Sequence, residues 1–394
     1  MKRYLVIGAG LSGCVISNLL INNDEDCVVT LVEKREHVGG NCYDSVQSEV
    51  CDNNSILIHK YGPHIFHTNN EEVWEFLSRF TSWEPFFPNV KACIHGKEVS
   101  LPFNINSIYD VFSYSKASVF ERKLCEKYAY GSSVAIYDLL KTEDPDLKEL
   151  ALFIYDNVFK NYVKKQWGED DCKVDESVMR RVPINISRND SYFNDKYQAI
   201  PSEGYTRLLE NMISNDRVNL ILSTDYKEYI VKTLNKDVYS PDLIDTLPYD
   251  AVFVTSSIDE FFDYKYGVLP YRSLTFREEY YKCKDVQNGV VVSYPNNFDF
   301  TRITEHKKFL KKFCDLDYSI RSFEYSHEFR LGENDRYYPI KNSDTESLYE
   351  QYLCSKTNDD VYFLGRLGDY KYYNMDIAIM RCFEVYNTFK RKNG

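Results

Sequence analysis

The stretch YLVIGAGLSG, residues 4–13, decides the fold. Its apolar start reads as a short buried strand, glycines stand at Gly8, Gly10 and Gly13, and Leu11 to Leu20 carry the apolar spacing of a helix. Without side chains at those glycines, backbone N–H groups and the N-terminus of the helix can approach a pyrophosphate. Further along, CVVTLVEK (27–34) is a second β-branched run, closing on Glu33. A carboxylate at that point can accept hydrogen bonds from the ribose of an adenosine. Strand, glycine turn, helix, strand and acidic end predict an α/β, doubly wound (Rossmann-like) domain.

Just beyond Glu33, Gly39 and Gly40 in EKREHVGGN resemble the extended signature of FAD-binding two-dinucleotide-fold proteins. That shifts the expected cofactor from NAD to FAD and brings Lys34 and Asn41 into its candidate site.

The 394 residues allow two to three domains. Hydrophobic content of 43% with 27% charged residues excludes a disordered or collagen-like chain. A net charge of -12 opposes general attraction to nucleic acid, so phosphate groups must be met by individually placed arginines. Eleven cysteines without a CxxC pair fit a reduced, cytoplasmic compartment, and the N-terminal apolar run is too short for a signal peptide or a spanning helix. No metal cluster is expected, since HxxH at His64 and His67 lacks a third nearby ligand.

Outward from the fingerprint, residues 83–178 change to helical periodicity, as in LKELALFIYDNVFKNYVKKQW, while NGVVVSYP, RSLTFREEYY and RSFEYSHEF alternate like strands. The runs YDAVFVTSS and VYFLGRLGDY read as returns to the nucleotide domain. The expected division is a discontinuous FAD-binding domain (1–82, 200–263, 337–394), a helical insertion (83–178) with a mobile loop at about 168–181, and an antiparallel sheet (179–199, 264–336).

Six blocks then carry a resemblance: HKYGPHIFHT, NYVKKQWG, LPYRSLTF, FTRITEHK, RYYPI and GRLGDYKYYNM. In this order they resemble the bacterial UDP-galactopyranose mutases over nearly the whole chain. The resemblance implies an isomerase that interconverts UDP-galactopyranose and UDP-galactofuranose through a covalent bond between the sugar and N5 of reduced FAD. The resemblance further implies that the product supplies galactofuranose for cell-surface polysaccharide. The expected partners are the UDP-sugar, a reductant such as NAD(P)H and a second copy in a homodimer; nucleic acid and membrane insertion are not expected.

By the same resemblance, Tyr162 stacks on uracil and Trp167 belongs to the mobile loop, although an aromatic pair on a helix is otherwise core. Arg181 and Arg302 take the diphosphate, with Arg180 as a mere neighbour, since arginine forks suit phosphate oxygens. Tyr192, Tyr337 and Tyr372 lie near phosphate and sugar, Glu324 lines the cleft, and Tyr338 and Tyr373 are packing. Arg272 and Arg366 stand near the flavin, as do Asn374 and Met375, and salt bridging is the rival role for Arg272, Arg366 and Glu324. His64 and His67 occupy a loop beside the flavin ring, with His67 joining Arg181 and Arg302 as catalytic residues. Asn374 and Asn185 depart from the aspartate and arginine frequent in the family. A modified sugar such as a 2-acetamido form, an FAD-dependent amine-oxidase-like oxidoreductase and an inactive sugar-nucleotide binder remain alternatives.

Overall fold

The computed structural model describes residues 1–47, 55–167, 183–296 and 298–393. The fingerprint opens a parallel sheet whose five strands among the described residues run in the order Val218–Ile221, Cys27–Val32, Lys2–Ile7, Ala251–Val254, Val361–Phe363. Cys27, Val29 and Leu31 face a core shared with the helices Leu11–Asn23, Tyr205–Ile213 and Met375–Asn393. Leu5, Ile7, Val252 and Val254 face a second core against the helix Tyr226–Leu234 and the segment around Phe261. A sheet buried on both faces explains why these strands read as continuous apolar runs.

A larger, mostly antiparallel sheet has seven strands among the described residues: Tyr338–Pro339, Tyr271–Tyr281, Ser319–Glu328, Arg302–Glu305, Val291–Ser293, Val90–Ile94 and Lys97–Ser100. The last two correct the expectation of a helical segment beginning at 83. Val90, Ala92 and Ile94 are buried in alternation with Lys91 and Cys93, a period of two. Trp83–Pro85 is also a strand, paired with Tyr197–Pro201, which in turn pairs with Phe66–Thr68. Helices begin at Ile105 and continue, with the short strand Ser133–Ala135 interposed, to Trp167 around a separate core. The described part of 179–199 likewise stays off the large sheet, Pro183–Asn185 pairing with Ser133–Ala135 and Phe103–Asn104.

Within this helical part, Tyr155–Phe159 forms a π-helical turn immediately before the helix Lys160–Trp167. The wider turn resets the face on which Tyr162 emerges. A side-chain hydrogen bond from Arg272 to the Lys165 carbonyl (3.1 Å) holds that helix to the large sheet. The Lys165 ammonium adds bonds to the carbonyls of Tyr294 (2.6 Å) and Phe300 (3.3 Å).

Candidate functional site

At the C-terminal ends of the parallel strands lies a cavity of about 850 Å³. Its wall includes Gly8, Gly10, Glu33, Lys34, Gly39, Gly40, Asn41, His64, Arg366, Asn374 and Met375, eleven of the thirteen residues expected to hold the cofactor. Gly8, Gly39 and Gly40 have positive φ, and a Cβ on Gly40 would sit 2.9 Å from the Gly10 Cα. Gly13 serves the cradle from behind, since its Cβ would fall 1.8 Å from the Gly8 carbonyl oxygen. Glu33 accepts from the backbone N–H of Ala9 and of Arg35, each at 2.8 Å. It therefore pins the glycine turn to the second strand while still lining the cavity.

Arg272 is the other exception. Its guanidinium, bonded to Ser326 Oγ (3.1 Å) and the Lys165 carbonyl, supports the Tyr162 helix and does not line the cavity.

A second cluster forms beside the cavity around Arg302. Its guanidinium binds the Glu324 carboxylate at 2.6 Å, and Glu324, only 2% exposed, also accepts from Thr301 Oγ1 at 2.9 Å. Burial is the largest single influence and opposes the arginine's charge, but Glu324 together with the phenols of Tyr338 and Tyr162 holds the Arg302 pKa well above the ordinary value. The charge of Arg302 reaches the phenols of Tyr162, Tyr192 and Tyr338, whose pKa values are all pushed up by burial, that of Tyr338 to about 12.

The structure separates two neighbouring tyrosines. Tyr338 meets the Tyr372 ring edge-on at 5.4 Å, lies under the Arg366 guanidinium and faces Arg302. Tyr337, buried and on the opposite side of the chain, turns to Tyr61 and Phe276 and lines the dinucleotide cavity. Strand alternation turns the two rings to opposite sides, and RYYPI alone does not reveal its phase. Tyr373, expected as packing, donates to Asp369 at 3.0 Å and also lines the dinucleotide cavity.

Arg366 and His64 join the two sites. Arg366 lines the cavity, lies over the rings of Tyr338 and Tyr372, and donates to the Tyr373 carbonyl at 3.0 Å. His64 lines the cavity and lies within electrostatic reach of Arg366 and Arg302; burial pushes its pKa down to about 3.

His67 is not brought to this juncture. It pairs with Asp195 at 2.9 Å and stacks on Phe193 at 3.7 Å, so it braces the segment that carries Tyr192. His67 is the middle residue of the strand Phe66–Thr68 and is not among the residues that line the cavity, whereas His64, just before that strand, is. Asn185 lies in a small sheet, accepting from Ser133 Oγ at 2.7 Å, and is structural. Arg181 and the expected mobile loop at 168–181 lie outside the described residues, and of Trp167 only the backbone is described, as the end of its helix.

A Rossmann cradle opening onto an arginine, a glutamate and four tyrosines is the setting in which comparison with known proteins becomes specific. The UDP-galactopyranose mutase family profile matches residues 157–372, and a Rossmann-like NAD(P)-binding domain profile matches 6–80. The chain belongs to the UDP-galactopyranose mutase family. It is 33% identical to a dTDP-fucopyranose mutase of Escherichia coli over 100% of both chains. It is 32% identical to a probable UDP-galactopyranose mutase of Klebsiella pneumoniae over 98% of this chain and 94% of that one. A crystal structure of reduced UDP-galactopyranose mutase superposes with a TM-score of 0.70, covering 99% of this chain and 94% of that chain at 15% identity, and shares the fold. The chain is thus an isomerase of a flavin-dependent family whose members interconvert pyranose and furanose sugars. No helix among the described residues is long and apolar enough to cross a membrane.

Proposed function

We propose that this enzyme interconverts UDP-galactopyranose and UDP-galactofuranose with FAD held in the cavity. The observation that carries the reading is the shared wall: His64 and Arg366 belong to the dinucleotide cavity and also face the Arg302 cluster. An enzyme that must bring a cofactor against a diphosphate-linked sugar needs those two sites to touch.

The cavity fits the cofactor on its own geometry, because the contact of Gly10 with Gly40 and the closeness of Gly13 to Gly8 leave bare backbone where a pyrophosphate belongs. Gly8, Gly10, Gly39, Gly40 and Glu33 would hold FAD, which when bound and reduced would supply a nucleophile towards the anomeric carbon. The protein's part is positioning and charge. Arg302, whose charge Glu324 favours, meets the diphosphate, joined by Arg181. Tyr162 gives the uracil a flat face, and Tyr192, Tyr338 and Tyr372 donate hydrogen bonds to phosphate and sugar oxygens without adding charge. The same reading places the enzyme in the cytoplasm as a homodimer, activated by a reductant such as NAD(P)H and feeding cell-surface polysaccharide.

The end-to-end relative acting on a fucose linked to dTDP favours a second substrate reading, dTDP-fucopyranose. Both are tested by offering FAD-loaded, dithionite-reduced protein each sugar nucleotide and measuring the furanose product. The expected outcome is a yellow protein that forms furanose only when reduced, faster from UDP-galactopyranose, without stoichiometric nicotinamide consumption. Protein that takes up no FAD, or that oxidises NAD(P)H one-to-one with substrate, overturns the mutase reading; faster turnover of dTDP-fucopyranose replaces the sugar.

A further inference from the structure

Behind the wall shared by the two sites runs a chain of buried histidines that the proposed chemistry leaves unused. His59 ends the strand Ile56–His59 and is 2% exposed, while His306 is 0% exposed. The His64 backbone N–H donates to His59 Nδ1 at 3.1 Å. The His59 backbone N–H in turn donates to His306 Nδ1 at 3.3 Å, and His306 Nε2 meets Ser322 Oγ at 2.7 Å. In both rings Nδ1 faces an N–H donor, so neither can carry a proton there. That fixes each tautomer, with hydrogen on Nε2.

For His306 the Nε2 hydrogen has Ser322 as acceptor. The Nε2 of His59 is fully buried without a partner among the described residues, and its ring instead stacks on Phe309 at 4.5 Å and 15°. A buried donor left unmet costs about 1–3 kcal/mol, so this imidazole is a poor choice for stability alone. Its other nitrogen reaches a more consequential place. Between His59 and His64, Gly62 takes φ +95°, and a Cβ there would meet Phe276 at 3.3 Å and the Glu324 carboxylate at 3.5 Å. The His64 ring Nδ1 bonds the Gly62 carbonyl at 2.8 Å, which leaves Nε2 with its lone pair and no partner among the described residues, on a side chain lining the cavity.

We propose that His59 is a positioning residue: its Nδ1 fixes the backbone of the turn at Gly62–His64, so that one rigid turn backs the Glu324–Arg302 pair and presents His64 Nε2 as a hydrogen-bond acceptor where cofactor and sugar meet. This rests on the cavity being the flavin site. His64 then takes a hydrogen bond from the bound cofactor or a sugar hydroxyl, and its own Nδ1–H is committed to Gly62. A turn free to shift by an ångström loses both alignments.

The test compares H59L, which removes the acceptor, with H59N, whose side-chain oxygen restores one near the position of Nδ1. H59L is expected to retain stoichiometric FAD, to shift the visible absorption bands of the bound flavin, and to lower kcat about ten- to a hundredfold with KM within about twofold. H59N returns the spectrum and brings kcat to within about threefold of the wild type. Wild-type kcat and spectrum in H59L, or an H59N as slow as H59L, overturns the proposal. Should H59L not fold, Ser322→Ala frees the far end of the chain and carries the test: a fall in kcat of about threefold with a shifted spectrum supports the proposal, and unchanged values overturn it. Wild-type protein that binds no FAD sinks the cofactor reading and this proposal together, whereas active wild type with indifferent His59 variants sinks this one alone.

Discussion

The dinucleotide cavity and the arginine–tyrosine cleft are neighbours built on opposite plans. The cavity is shaped by backbone: Gly8, Gly10, Gly13, Gly39 and Gly40 come from two short stretches, and their value is the absence of a Cβ. The cleft is shaped by side chains: Tyr162, Tyr192, Arg302, Glu324, Tyr338 and Tyr372 come from six places along the chain and meet only in the fold. A backbone site is a local motif with fixed spacing. A side-chain site depends on tertiary packing and concentrates its stability in a few charges, so the two regions should fail differently when altered.

The largest effect is expected from Arg302→Ala. It leaves the Glu324 carboxylate, 2% exposed, without its cation, and removing one partner of a buried pair costs about 3–5 kcal/mol. Urea unfolding should show that loss, while E324Q, which leaves the partly exposed guanidinium a neutral acceptor, should cost clearly less. Equal stability of R302A and the wild type would mean that the cleft, too, rests on backbone.

An intermediate effect belongs to the wall between the regions. Burial pushes His59 down to about 3 and His306 well below its ordinary value, whereas both titrate near 6.5 when unfolded. Of the groups around them, Lys60 also faces His306, while the flanking Lys307 turns to the Leu316 carbonyl and Glu305 to Ser319 and Lys308. Below pH 6.5 the unfolded chain takes up protons that the folded rings refuse. Stability is therefore whole above about pH 6.5 and falls as pH drops towards 3, by about 2 kcal/mol for His59 at pH 5, with His306 adding loss of the same sign. Urea midpoints measured from pH 7.5 to 5 should show this slope, and H59N should flatten it; a flat wild-type profile would mean that these rings protonate within the fold.

The smallest effect separates two adjacent residues. Tyr338→Phe should lower kcat/KM about fivefold with FAD affinity unchanged, the loss of one hydrogen bond, whereas Tyr337→Phe should leave substrate kinetics alone. The reverse pattern would return the substrate role to Tyr337.

The same contrast explains what could be read beforehand. The Rossmann opening was legible because pyrophosphate binding by bare backbone demands glycines at set intervals, and eleven of thirteen expected cofactor residues do line the cavity. The strands at 83–100 were hidden because three to five residues of alternation within an aromatic-rich stretch look much like one helical face. The directions of Tyr337 and Tyr338 depend on the phase of a two-residue strand, and the presence of His64 but not His67 on the cavity wall depends on which residue of a short stretch turns inward. The ring of His59 carried no signal at all, since its role comes from a bond to a backbone five residues away.

The parallel sheet has one more consequence, in the order of synthesis. Its central strand, Lys2–Ile7, emerges first and pairs early with Cys27–Val32, but its other edge waits for Ala251–Val254. At ~5–20 residues per second that interval is roughly 10 to 40 s, during which a strand with four buried residues has one bare side. The helical stretch from Ile105 to Trp167, whose contacts are mostly local, can form meanwhile. Only after Val361–Phe363 is made can the helix Met375–Asn393 lie down on Leu11–Asn23, so the glycine cradle written at the beginning of the chain is finished by its last seventh.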